Sequence, residues 1–256
     1  TDVETPAAQS QSGSSDAGVS GAAAAGAAAA GAAVVGGAAV AGSAAAKANG
    51  AGLYFEASVG GGIPILRTIW DSLQANEITS VMGIINGTTN FILSKMEQDR
   101  ASYEAVLKEA QQLGFAEANP KNDVEGYDAM YKLSILSSMA FHARVPVEYI
   151  YREGITGITP EDIAYADELG YSIKLLAIGK KRGKTVEARV HPTMIPKTHP
   201  LASVRGSFNA IYLHGNIVDD IMLYGRGAGD MPTASAVVSD VVYAAGRGKH
   251  RYTTFY

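Results

Sequence analysis

The chain has 256 residues, a formal net charge of −4 and no cysteine. This balance, with no basic run or patterned Lys/Arg face, gives no electrostatic case for a nucleic-acid partner, and the missing thiols exclude disulfide frameworks and thiolate metal sites. No run of about 18 large apolar residues suggests a membrane span, and no basic, then leucine-rich, leader opens the chain, so a soluble, cytoplasmic protein is expected.

Residues 1–52 contain no Leu, Ile, Met, Phe, Tyr or Trp; they are mostly Ala, Gly and Ser with scattered Val. Such residues cannot bury enough area to offset the backbone entropy of a packed layer, about 1–2 kcal/mol per residue. Two readings stay open for them: a flexible or loosely helical tail, or letters standing in for side chains that were not assigned. From Leu53 onward the composition is that of an ordinary globular domain. "LYFEA" (53–57) reads as a short strand and "SVGGG" as a loop. Pro64 then stands at a first helical position, before "PILRTIWDSLQ" with helical spacing. "EITSVMGIIN" (77–86) reads as a second strand, and "GTTNFILSKMEQ" as a helix capped by Thr88.

"SYEAVLKEAQQLG" (102–114) is an amphipathic helix ending at Gly114. After the polar loop "FAEANPKND" comes a long helix over 124–141, with Met130, Leu133, Leu136, Met139 and Ala140 on its apolar side. A short helix is expected over 158–170, followed by two strands joined by a tight turn at Arg182-Gly183. "FNAIYLHG" and "DIMLYG" add two strands, and "GRGAGDMPTAS" is a Gly-rich loop feeding a last helix, about 232–247. The expected class is α/β: a catalytic domain whose mixed sheet is covered by helices.

Three groups of residues suggest chemistry. Glu56 lies in an apolar run and is followed by three glycines. A buried acid must be paired, hydrogen-bonded or metal-bound, and a carboxylate with bare peptide carbonyls suits a hard cation. Placed on a solvent face, Glu56 would be ordinary and the glycines would merely turn the chain. Glu117, Asp123, Asp128 and Lys132 form the second group. Asp128 and Lys132, four residues apart, share one helix face; this is either a solvated surface pair or an acid and a base for a small zwitterionic alcohol. Gly225, Gly227 and Gly229 precede a helix start, which favours anions, but their spacing is not the dinucleotide fingerprint and a tight turn explains them equally. The five histidines have no ligand spacing, and the N-x-[ST] acceptor at Asn86 lacks a secretory context.

Taken in order, "FEASVGGGIPI", "INGTTNFIL", "GFAEANPKNDVEGYDAMYKLSIL" and "GRGAGDMPTASAVVSD" closely resemble homoserine dehydrogenase, from residue 53 to about 245. The resemblance implies an NAD(P)-dependent oxidoreductase interconverting L-homoserine and L-aspartate 4-semialdehyde on the route to threonine, methionine and isoleucine. It implies a Rossmann nucleotide-binding domain, of which residues 1–50 would be a remnant or unassigned part. Residues 51–256 would be the catalytic and dimerisation domain, with the last helix returning to the nucleotide-binding side. A homodimer or higher homo-oligomer is the implied assembly. By the same matching, Glu56 and the carbonyls of Val59, Gly61 and Ile63 would hold a sodium-type cation. Glu117 would grip the substrate ammonium and Asp123 would support the cluster. Asp128 and Lys132 would lie at the reacting hydroxyl, with Lys132 the proton acceptor. Gly87 and Thr88 would face substrate and nicotinamide, and Gly227 and Gly229 the nucleotide.

This sequence departs from the family at several places. The glycine fingerprint and the family's "ANK" motif are absent from residues 1–50, Asn119 stands where an acid often does, and the chain ends where many relatives continue into a regulatory domain. A rival reading is therefore a non-catalytic dimerisation or substrate-binding remnant. A third is a dehydrogenase for another amino alcohol, which the acids around Glu117 disfavour.

Overall fold

A computed structural model describes residues 51–246 together with Ala46, Ala48 and Asn49. The rest of the Ala/Gly-rich segment, read above as a remnant of a nucleotide domain, lies outside the described residues.

Among the described residues six strands form one sheet: β1 (Ile78–Ile84), β2 (Tyr151–Arg152), β3 (Tyr171–Arg182), β4 (Thr185–Pro196), β5 (Phe208–Gly215) and β6 (Asp219–Arg226). Their order is β2-β4-β3-β1-β5-β6. Only the short β2 runs parallel to its neighbour β4; the other four pairings are antiparallel, so the expected mixed α/β class holds. From residue 51 to 246 the α-helical segments beside the sheet are α1 (Ile65–Arg67), α2 (Gly87–Asp99), α3 (Tyr103–Gln112), α4 (Lys121–Val124), α5 (Tyr127–Phe141), α6 (Pro160–Glu168) and α7 (Asp230–Gly246).

Strand alternation divides the core. Val81, Leu175, Ala177, Ile211 and Leu213 join a large cluster with α2 and α5, whereas Ile84, Leu176, Ile178 and Ala210 join a smaller one with Ile195 and Leu201. In α5 the expected apolar residues Met130, Leu133, Leu136, Met139 and Ala140 are all buried. The hairpin between β3 and β4 pairs from Tyr171↔Pro196 to Arg182↔Thr185, so its two turn residues are Gly183 and Lys184, one position later than expected. Gly183 has φ +59°, a left-handed conformation that suits the first residue of such a turn and that arginine adopts less readily.

Other expectations are corrected. Leu53–Ala57 is not a strand: Glu56–Ser58 forms a turn of 3₁₀ helix, closed by the Ser58 N–H and Oγ donating to the Phe55 carbonyl. No strand among the described residues pairs with it, and without a ladder partner its β-forming side chains cannot make a strand. Pro64 precedes α1 rather than opening it, and α1 soon widens into a π turn over Thr68–Ser72. Asn86, not Thr88, caps α2, its side chain accepting from the Thr89 N–H at 2.9 Å. The long helix begins at Tyr127 because the chain first makes the separate short α4, joined to it through Gly126 at φ +81°.

This joint is braced from outside. The Ile155 N–H donates to the Val124 carbonyl at 2.8 Å, and a Cβ on Gly154 would overlap the backbone of Val124 and Glu125. We expect Gly154→Ala to destabilise the full-length protein by about 1–3 kcal/mol in urea unfolding, because overpacking against backbone cannot be relieved by a rotamer change. A loss under 0.5 kcal/mol, about the ceiling for an ordinary surface change, would show that this contact does not constrain the joint.

Candidate active site

Asn86 ends the apolar run of β1 and begins α2, and its buried side chain organises the acids around it. Its Oδ1 accepts from the N–H and hydroxyl of Thr89, which directs Nδ2 away from the helix. That nitrogen donates to Asp123 Oδ1 at 2.7 Å and to Asp128 Oδ2 at 2.9 Å. Asp128, in the first turn of α5, also accepts from Lys132 Nζ at 2.7 Å. Lys132 donates in addition to the Ile85 carbonyl at 3.1 Å. The pair is not the solvated kind that four-residue spacing usually gives: the side chains of Lys132 and Asp128 are 12 % and 1 % exposed. Asp128 Oδ1 is buried with no hydrogen-bond partner among the described residues.

These groups line a cavity of about 260 Å³, whose other walls include Gly87, Thr88, Asn209 and the Gly227–Gly229 loop. Asp123, Asp128 and Lys132 of the second group expected from sequence and the glycine loop after β6 are thus brought to one place. Thr88 Oγ donates to the Phe115 carbonyl at 2.6 Å, tying the loop after α3 to the start of α2. A Cβ on Gly87 would lie 2.8 Å from the Ser207 carbonyl, so glycine lets the helix start sit against that loop. Glu117 is exposed and is not among the cavity's lining residues; its charge is felt at Asp123, where it raises the pKa.

The proposed cation residues sit in a neighbouring loop. Glu56 is buried, and its two carboxylate oxygens accept from the N–H groups of Leu66 and Arg67, both at 2.8 Å. The acid thus staples the start of α1, a role that sequence reasoning missed. Burial pushes the Glu56 pKa up, and the two backbone N–H groups oppose that shift. The loop lies on the cavity wall: the Gly62 N–H donates to the Arg226 carbonyl at 3.0 Å, and a Cβ on Gly61 would overlap Gly227. Among the described residues no three acids or histidines cluster to hold a metal ion.

Asn86, Ser207, Asn209, Arg226 and Asp230 also line the cavity and were not expected there. Buried asparagines at the ends of apolar runs were the available signal, since a buried amide needs partners.

Burial, and after it the Asp128 charge, raise the Asp123 pKa from 3.8 to about 6. The folded protein therefore holds this proton more tightly than the unfolded chain, a stabilising effect that is complete below about pH 4 and is lost as pH rises through 6. We expect Asp123→Asn to gain stability relative to the parent between pH 4 and 7, by up to about 3 kcal/mol in urea unfolding of the full-length protein. Parallel stability curves over that range would contradict the shift.

Comparison with known proteins gives the geometry a family. The homoserine dehydrogenase family model matches residues 64–242. A homoserine dehydrogenase of Bacillus subtilis is 53% identical over 197 residues, 77% of this chain and 46% of its own. One from Corynebacterium glutamicum is 51% identical over 210 residues, 80% of this chain and 47% of its own. The chain thus spans about half the length of these curated relatives. Among solved structures, a Thiobacillus denitrificans homoserine dehydrogenase has TM-score 0.79 at 50% identity, covering 81% of this chain and 48% of that one. A hyperthermophilic archaeal homoserine dehydrogenase mutant in complex with NADPH has TM-score 0.68 at 30% identity, covering 79% of this chain and 58% of that one. With the family model spanning most of the described residues and the relatives agreeing, the chain belongs to the homoserine dehydrogenase family.

Proposed function

We propose that the chain carries the catalytic half of an NAD(P)-dependent oxidoreductase that interconverts L-homoserine and L-aspartate 4-semialdehyde, in threonine, methionine and isoleucine biosynthesis. The observation that carries this reading is the largely buried Lys132–Asp128 pair, lining a cavity sized for a small molecule. Lys132 Nζ is held from two sides, by Asp128 Oδ2 and the Ile85 carbonyl, so its position is fixed before a substrate arrives. In the oxidative direction Lys132 takes the hydroxyl proton as the C–O bond becomes a carbonyl; in reverse it returns that proton to oxygen. Asp128 orients the amine through its Oδ2. Glu117, at the exposed side, binds the substrate ammonium, and Asp123 adds negative potential behind it. Gly87 and Thr88 face the substrate and the ring of the nucleotide, and Gly227 and Gly229 the nucleotide.

The residues fit a nicotinamide nucleotide: one wall is made of side-chain-free backbone at Gly87, Gly227 and Gly229, against which a flat ring can lie. When bound, the nicotinamide supplies the hydride acceptor or donor at its C4. The residues also fit a sodium-type cation bound by the carbonyls of Val59, Gly61 and Ile63 beside Glu56. The donors are all hard oxygens, the site carries one carboxylate, and a cation would offset the desolvation that raises the Glu56 pKa. Its role would be to stiffen the loop behind Gly227.

We read residues 51–256 as the catalytic and dimerisation domain of a cytoplasmic homodimer or higher homo-oligomer, with residues 1–50 belonging to the nucleotide-binding domain. Supporting this, α7 leaves Val237, Val238, Val241 and Val242 more than half or half exposed, an apolar face for α7 to turn toward that domain. No helix among the described residues is long and apolar enough to cross a membrane.

For the full-length protein with homoserine and NADP or NAD, Lys132→Ala should lower kcat by about 10²–10⁴-fold with little change in KM. Glu117→Ala should chiefly raise KM. Absorbance of the reduced nicotinamide measures both; a Lys132→Ala enzyme within tenfold of the parent removes the proton-acceptor role, and a parent inactive with either nucleotide favours the non-catalytic reading. For the cation, sodium should raise the melting temperature of the dialysed protein beyond the effect of choline at equal ionic strength; equal effects would remove that site.

A further inference from the structure

Lys174 is a buried charge with no part in the chemistry above. It stands on β3, 1 % exposed, and its ammonium donates to three oxygens: the Val204 carbonyl at 2.7 Å, Asn90 Oδ1 at 3.2 Å and Ser94 Oγ at 3.4 Å. All three donors of the ammonium are used, yet none of the three partners is a carboxylate. Burial brings its pKa down from 10.5 to about 8, with Glu97 opposing the shift and Arg205 adding to it. An enclosed ammonium with neutral partners is costly, and an apolar side chain of similar length would fill the space at less cost. What the lysine supplies is geometry.

The groups it binds lead to the active-site cavity. Asn90 lies one turn of α2 beyond Asn86, its N–H donating to the Asn86 carbonyl at 3.3 Å. Because Lys174 holds its Oδ1, the amide nitrogen of Asn90 is turned toward the loop before β5. There it donates to the carbonyls of Gly206 at 2.9 Å, Phe208 at 3.1 Å and Val204 at 3.3 Å. Lys174 thus holds this loop twice, directly at Val204 and through Asn90 at all three carbonyls. Between those anchors is Ser207, which lines the cavity and whose carbonyl lies 2.8 Å from the Cβ position of Gly87. Asn209, also on the cavity wall, follows two residues later. One lysine and one amide therefore set the loop against the start of α2, with Gly87 and Ser207 at the contact.

We propose that Lys174 is a positioning residue for the active site: through Asn90 and the Val204 carbonyl it holds Ser207 and Asn209 against the start of α2, so that this wall of the cavity is in place before the substrate binds. The inference rests on the functional reading above and adds a residue to it. Lys174 is enclosed and acts only through the loop. Without its ammonium the loop samples other positions, and a site that is competent for only a fraction of the time binds its ligands more weakly by that fraction. A loop in place about one fifth of the time weakens apparent affinity about fivefold.

The test uses the full-length protein with Lys174→Met, which keeps most of the side-chain volume without the ammonium, and Asn90→Ala, which keeps the lysine but cuts the amide's bonds to the loop. Each folded variant should raise the KM for homoserine about fivefold at saturating NADP or NAD. A mere loss of folded molecules lowers kcat and leaves KM unchanged, so it does not produce this effect. Backbone amide exchange over residues 204–209 of the ligand-free variants should quicken relative to the turn end of the β3–β4 hairpin. A folded variant of either kind with a homoserine KM within twofold of the parent overturns the proposal, as does a raised KM with exchange over 204–209 unchanged. Two variants that both fail to fold assign the lysine to folding alone and overturn it as well. A parent inactive on homoserine with either nucleotide is a failure of the functional reading itself, and the inference falls with it.

Discussion

One amide nitrogen holds the charged groups of the cavity together. Two carboxylates, Asp123 and Asp128, are buried within reach of Asn86 Nδ2, which gives one hydrogen to each. Two buried negative charges repel one another, and in a low dielectric the repulsion is large unless a donor or cation intervenes. Asn86 and Lys132 are the partners supplied. The amide can serve because Thr89 claims its oxygen, which fixes the orientation of the nitrogen. The N-cap of α2 and the charge arrangement of the cavity are therefore one interaction seen from two sides.

The scaffold delivers those groups through backbone approach rather than through long side chains. The short α4 and the long α5 meet at Gly126, which places Asp123 just before the joint and Asp128 just after it. Gly154 allows the chain after β2 to press on this joint from outside, and Gly87 allows α2 to begin against Ser207. Glu56, far from the chemistry in sequence, anchors the start of α1 while its own N–H is held by Asp240 of α7 at 2.8 Å. Asp240 also pairs with Arg67 at 2.5 Å. The last helix and the first turn thus grip each other, and the loop between Glu56 and α1 is pressed onto the Gly227 wall.

What could be read from the sequence follows from what is local. The long helix was legible because its apolar residues repeat at helical spacing and all find the core. The hairpin of β3 and β4 was legible to within one residue, since alternation marks the strands while the turn depends on which residue takes φ > 0. Leu53–Ala57 was misread because a strand needs a neighbour, and no local pattern says whether one exists. Asp128 and Lys132 were visible as a pair, but local sequence could not tell a solvated pair from a buried one. The roles proposed for them rest on the order and spacing of four motifs. Asn86 and Asn209 gave only a faint signal, an amide bordering an apolar run: the first has partners 37 and 42 residues away, and the second has an enclosed oxygen without one among the described residues.

The central claim is that Lys132, posed by Asp128, faces the oxygen that loses its proton. A crystal structure of the full-length protein with L-homoserine and the oxidised nucleotide tests it most directly. The account places the homoserine hydroxyl oxygen within about 3 Å of Lys132 Nζ, with its carbon turned toward the nicotinamide ring. A homoserine whose hydroxyl points away from Lys132, with the amino acid otherwise seated in the cavity, would contradict it.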